Sequence, residues 1–113
     1  MSYVPRRGDI VWLSFDPQAG HEQAGRRPAF VLSPEGYNRK TSLFLACLVT
    51  SKIKGYPFEV PLPGGMTTSG VILADQIKSL DWKVRKAKFA AETSTAVIED
   101  VLAVVLPLIG EEE

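Results

Sequence analysis

The 113-residue sequence contains a single cysteine, Cys47, and a single histidine, His21. One thiol excludes an internal disulfide, and one thiol with one imidazole makes no metal-ligand set. Long apolar runs are also missing: none approaches the roughly 20 residues of a membrane span. The first residues, "MSYVPRR", lack the apolar stretch of a signal peptide. Internal repeats and low-complexity segments are absent as well. These absences lead us to expect a cytoplasmic protein with no membrane segment, no metal and no cofactor.

Net charge is a further absence, but a local asymmetry lies beneath it. Residues 1–90 carry all thirteen Lys and Arg against seven acids, whereas residues 91–113 carry six acids and no base. A basic body with an acidic end can suit a polyanion or an acidic peptide. Ordinary solvation of a surface accounts for the same counts. The length predicts one domain, 1–113, large enough for one core.

Apolar alternation predicts a strand over 10–15, ended by Asp16-Pro17, and a loop over 18–27. Pro28 is expected to open a second strand, 29–33, and Pro34-Glu-Gly-Tyr-Asn38 to form a turn. The run 43–50 is nearly continuous in apolar residues, as in a central strand buried on both faces. Further strands are predicted over 56–62 and 71–80, joined by a turn at Pro63-Gly-Gly-Met, and 83–89 reads as a short strand or connection. Only the end reads as helical. Thr93, Ser94 or Thr95 can cap it, Val97, Ile98, Val101, Leu102 and Val105 form its apolar stripe, and Pro107 is expected to stop it. The fold class expected is mainly β with a C-terminal α-helix, a small, partly open barrel.

Three polar clusters could carry chemistry. In the loop "AGHEQAGRRPAFVLS" (19–33), Glu22 can accept a proton and Arg27 can clamp an oxyanion with a planar fork of donors. Taken alone, such a loop is more often a solvated surface. Thr50, Ser51, Lys52 and Lys54 end the central strand, where a hydroxyl and lysines suit phosphate. Asp75, Gln76 and Lys78 interrupt an apolar run, for which protection of an edge strand is the commoner reason. Trp12, Phe15, Tyr37, Tyr56 and Trp82 could stack bases, although strand aromatics more often fill a core. Cys47, within an apolar strand, reads as inert.

The stretches "GDIVWLSFDP" (8–17), "GHEQAGRRPAFVLSP" (20–34), "YNRKT" (37–41), "TSKIKGYPFEV" (50–60) and "ILADQIKSLDW" (72–82) cover most of the chain. In them the sequence closely resembles the MazF/PemK family of toxin endoribonucleases. The resemblance implies an SH3-like barrel with a C-terminal helix, acting as a homodimer that cleaves single-stranded RNA without metal, and a MazE-like antitoxin whose acidic disordered segment covers the RNA groove. Carried over residue by residue, the family's acid falls on Glu22, its arginine on Arg27 and its phosphate-holding threonine on Thr50. His21 inherits no role, and the acidic end Glu111–Glu113 lies outside the family core.

A mechanism consistent with these residues uses the RNA 2′-hydroxyl as nucleophile, Glu22 as general base, and Arg27 with Thr50 on the phosphoryl oxygens. It leaves 2′,3′-cyclic phosphate and 5′-hydroxyl ends. Asn38, Lys40, Ser51, Lys54, Gln76 and Lys78 are the further expected RNA contacts. Two rivals share the fold: a binding module without chemistry, and a toxin that poisons DNA gyrase.

Overall fold

The computed structural model describes residues 2–15, 25–64 and 69–110. Alternation of buried and open positions produces β1 (Asp9–Ser14), β2 (Arg26–Val31), β3 (Leu43–Thr50), β4 (Glu59–Pro61), β5 (Val71–Asp81) and β6 (Lys88–Glu92). Two helices interrupt and end the series, α1 (Glu35–Thr41) and α2 (Thr95–Ile109). All the strand pairs are antiparallel, in the order β4-β5-β3-β2-β1-β6. The sheet curls into a half-barrel and stays open, with β4 and β6 as its edges. The mainly-β class with a C-terminal helix is as expected.

Each face of the sheet carries a core. On one face Ile10, Phe30, Cys47 and Ile72 meet Val97, Val101 and Val105 of α2. On the other, Val11, Leu13, Ala29, Phe44 and Ala46 meet Trp82, with Tyr3, Val4 and Ala87 packed around them. Strand β3 feeds both cores, as its apolar run predicted, apart from Leu45, which stays exposed. The stripe on α2 also behaves as expected: Val97, Val101 and Val105 are buried while Glu99 and Asp100 face out. Ser94 is the cap, its hydroxyl oxygen accepting from the Val97 N–H at 3.3 Å.

Several expectations need correction. The presumed turn after Pro34 is a helix. Seven residues do not make a helix stable by themselves, and α1 is held from outside its own sequence. The Asn38 amide is buried, accepting from Ser33 Oγ at 2.6 Å and donating to Pro5 O at 2.9 Å and Ser33 O at 3.0 Å. Trp82 Nε1 donates to the Asn38 carbonyl at 3.0 Å.

Strand β2 starts at Arg26, three residues before its predicted start at Ala29. Its pairing with β3 begins only at Ala29, so the N–H that Pro28 lacks has no ladder partner to lose on that side. The strand expected over 56–62 shrinks to Glu59–Pro61, and 83–89 divides into a turn and the start of β6. Pro107 does not stop α2 but sits in its last turn, where it removes one backbone donor while Gly110 N–H still reaches Leu106 O at 2.8 Å. Gly65 and Met66 of the predicted Pro63-Gly-Gly-Met turn lie outside the described residues.

Candidate functional site

The β2–β3 register pairs Ala29 with Leu48, and continuing it by two residues sets Arg27 across from Thr50. Side chains two apart on a strand share a face. Arg27 and Thr50 therefore point the same way as Ala29 and Leu48, to the face opposite α2. Both line an open cleft of about 270 Å³, together with Lys52, Lys54, Tyr56 and Gln76.

The two adjacent arginines have different surroundings. Arg26 Nη2 donates to the Trp12 carbonyl at 3.5 Å and the Lys86 carbonyl at 3.4 Å. The Arg27 guanidinium lies 6.0 Å from the centre of the Phe15 ring. Among the described residues it has no hydrogen-bond partner and no ion pair; the two ion pairs found there, Arg6–Glu35 and Arg39–Glu35, stand on and beside α1. Its planar fork is thus presented to the cleft with no donor committed to another described residue.

Thr50 ends β3 at the same point. Its Oγ1 accepts from Lys52 N–H at 3.1 Å, which leaves the hydroxyl hydrogen available to a ligand oxygen. On β5 the side-chain alternation slips: Ile72, Ala74 and Ile77 all pack on the core beneath α2, and the pairing with β3 shifts register between Cys47 and Val49. This irregularity brings Gln76 into the cleft beside Leu73. Lys78 is exposed further along β5, opposite Ala46. Ser51 belongs to an adjoining cleft of about 460 Å³ with Trp12, Pro28, Lys52 and Ser69.

Asn38 and Lys40 do not join this group. They stand on α1, which enters β3 at Leu43, seven residues along the strand from Thr50, or roughly 23 Å. Lys40 is exposed there, whereas Asn38 is wholly buried and committed to internal hydrogen bonds, which corrects its expected role as an RNA contact. Glu22 and His21 lie outside the described residues.

Sequence reasoning passed over one neighbour of the cleft. The Arg85 guanidinium stacks at 4.8 Å on the same Phe15 ring that Arg27 approaches, and its Nη1 donates to Ser14 O at 3.4 Å. Arg85 opens a further cleft of about 630 Å³ with Ser14, Ser79, Asp81 and Lys86. The run of bases 83–88 signalled positive charge, but nothing local showed that the turn after β5 folds back onto Phe15. Cys47 is buried as expected; burial, and secondarily the charge of Asp75, push its thiol up to about 12.

A curled β-sheet that sets an arginine, a threonine and lysines around one open cleft has the donors that suit a polyanion. Comparison with known proteins shows the family. A family profile described as the PemK-like, MazF-like toxin of type II toxin–antitoxin systems matches residues 6–109, and the chain belongs to that family. It is 47% identical over 108 residues to the endoribonuclease toxin MazF of Escherichia coli K12, covering 96% of each chain. It is 38% identical over 100 residues to the Escherichia coli endoribonuclease PemK, covering 85% of this chain and 75% of that one. The crystal structure of MazF from Deinococcus radiodurans superposes with a TM-score of 0.85 at 55% identity, over 97% of this chain and all of the other. A MazE–MazF crystal structure from the same organism gives 0.87 at 48% identity, over 98% of this chain.

Proposed function

We propose that this toxin is an endoribonuclease that cuts single-stranded RNA at a short recognition sequence, with Glu22, Arg27 and Thr50 as its catalytic residues. The observation that carries the reading is the placing of Arg27 beside Thr50 on one face of the sheet, in a cleft that Lys52, Lys54 and Gln76 complete. Relatives named as endoribonucleases support the reaction class.

RNA supplies the nucleophile. Glu22 takes the proton of the 2′-hydroxyl, the bond from O2′ to phosphorus forms, and the bond from phosphorus to O5′ breaks. Arg27 and the Thr50 hydroxyl hold the phosphoryl oxygens as negative charge develops on them. Arg27 acts as the electrostatic clamp and not as the proton donor, a delocalised guanidinium being a poor acid. A water or His21 gives the leaving 5′-oxygen its proton. The Gly25 carbonyl, three residues after Glu22 in sequence, accepts from Phe15 N–H at 3.3 Å, beside the ring that Arg27 approaches.

Bases splayed along the cleft provide the sequence readout, with Ser51, Lys54, Gln76 and Lys78 as contacts on this face. Lys40, at the other end of β3, takes part only if the RNA runs the length of the sheet. The protein acts as a homodimer, and a MazE-like antitoxin restrains it by laying an acidic disordered segment in the same groove. The MazE–MazF complexes of the Deinococcus relative support that partner.

The test is incubation with a long single-stranded RNA in excess EDTA, alongside Arg27→Ala, with fragment ends identified chemically. Cleavage at one short sequence, giving cyclic phosphate and 5′-hydroxyl ends and lost in the variant, is the expected result. Ends with 3′-hydroxyl and 5′-phosphate would overturn the chemistry, because they require water as nucleophile. Intact RNA over many sequences would overturn the activity and favour a binding module or a gyrase poison.

A further inference from the structure

Glu59 lines the cleft with Arg27, Thr50, Lys52 and Lys54, where a carboxylate by itself repels phosphate. Its hydrogen bonds give it another task. Both carboxylate oxygens accept from Lys54 N–H, at 3.2 Å each, and one also accepts from Gly55 N–H at 2.9 Å. Its own N–H donates to Tyr56 O at 3.1 Å. Gly55, at φ +81, supplies the left-handed backbone that turns both amides toward one acceptor.

Residues 51–58 are all exposed, including Ile53 and Tyr56, so no apolar side chain anchors this segment in a core. Backbone hydrogen bonds must order it, and the Glu59 carboxylate takes most of those available at its tip. The result is a fixed direction for Lys54, whose Nζ sits 5.9 Å from the centre of the Tyr56 ring at the cleft wall.

We infer that Glu59 is a positioning residue: its carboxylate clasps the backbone of Lys54 and Gly55 so that the Lys54 ammonium stands ready for an RNA phosphate. The inference rests on the ribonuclease reading of this cleft and adds a device that assembles part of it. Removing Glu59 has two opposed effects, relief of repulsion and loss of loop order, and the clasp requires the second to win.

Steady-state cleavage by the full chain separates them. Glu59→Ala is expected to raise KM about tenfold, the scale of a lost charge-assisted hydrogen bond, with kcat within about twofold of wild type. Glu59→Gln retains an acceptor oxygen without the charge and should recover most of the loss. In a Lys54→Ala background, Glu59→Ala should add almost nothing, as expected for residues acting in series. Amide hydrogen exchange in the RNA-free protein should accelerate at Lys54 and Gly55 in Glu59→Ala while α2 keeps its protection.

An unchanged or lowered KM in Glu59→Ala would overturn the inference, leaving repulsion as the residue's only effect. A full KM increase in the Lys54→Ala background would also overturn it, since Glu59 would then act elsewhere. Unaltered exchange at Lys54 and Gly55 would remove the clasp itself. Wild-type protein that leaves RNA intact would overturn the ribonuclease reading, and with it the clasp's role toward RNA, whereas the exchange measurement reports on the clasp alone.

Discussion

Arg27 and Arg26 are adjacent in sequence and differ in what they already hold. Arg26 spends donors on two carbonyls, whereas Arg27 offers its fork to the cleft from beside an aromatic ring. Geometry rather than charge alone should therefore matter at Arg27. Arg27→Lys is expected to lower kcat about 10²-fold, the scale of one lost oxyanion donor, with a smaller change in KM. A kcat within threefold of wild type would reduce Arg27 to a general positive charge. A second residue-scale prediction concerns pH. Burial raises the Cys47 thiol from its ordinary 9.0 to about 12, so the folded state holds this proton more tightly than the unfolded chain. The stabilisation is complete below pH 9.0 and is lost as pH rises toward about 12. Burial and the hydrogen bond to Asp9 raise Tyr3 also, which adds a loss of the same sign starting from its ordinary value of 10.0. Urea midpoints at pH 8 and pH 10 should therefore fall more steeply in wild type than in Cys47→Ala; equal slopes would exclude Cys47 as a source. The inertness of Cys47 was legible in its apolar neighbours. The division of labour between Arg26 and Arg27 was not, because it depends on where Trp12, Lys86 and Phe15 end up.

At the scale of elements, the site is a junction between strand ends. β3 and β5 pair from Leu43–Asp81 to Thr50–Val71, and Gly70 turns the chain directly against Thr50. Gly70 has φ +112, and a Cβ built there would lie 2.1 Å from the Thr50 carbonyl oxygen. Gly70→Ala must then displace the backbone that carries the Thr50 hydroxyl. We expect a stability loss of roughly 2–4 kcal/mol from strain and overpacking together, and a loss of kcat larger than the unfolded fraction explains. Urea unfolding beside cleavage assays normalised to folded protein would check this, and normal kcat per folded molecule would show that Thr50 tolerates the shift. Elements with a signal of their own were readable in the sequence: β1 from apolar alternation, β3 and the start of β5 from apolar runs, and α2 from apolar residues at helical spacing. α1 was not, since Gly36 and Pro34 read locally as a turn and the helix exists because Asn38 is bonded to Pro5 and Ser33. β4 was overestimated for the complementary reason. Tyr56 and Phe58 look like strand residues, yet the chain turns before Glu59, whose N–H donates to Tyr56 O and whose carboxylate accepts from Lys54 and Gly55 N–H.

The molecule as a whole is neutral, so any attraction to RNA must come from how its charges are distributed. Glu99 and Asp100 sit on the outer side of α2, while Arg27, Lys52, Lys54, Arg85 and Lys86 open onto clefts of the other face. The Phe15 ring has Arg27, which lines one of those clefts, at 6.0 Å and Arg85, which lines another, at 4.8 Å. A single strand laid across this face would meet Lys54, then Arg27, then Arg85. Each phosphate contact on a single strand contributes about −0.7 to the slope of log K against log salt. Lys54→Ala and Arg85→Ala should each flatten that slope by about 0.7, and together by about 1.4, when the RNA is long enough to occupy both clefts. With an oligonucleotide of about three residues, roughly 20 Å at most when extended, one strand reaches fewer of these groups and the two effects should cease to add. Fluorescence anisotropy with a non-cleavable RNA, across a salt series and two lengths, measures all of this. An unchanged slope for Arg85→Ala on the long RNA would confine the track to the cleft of Arg27 and Thr50. Additive slopes on the long strand and not on the short one would extend it past Phe15, making the ring a divider between neighbouring phosphate sites.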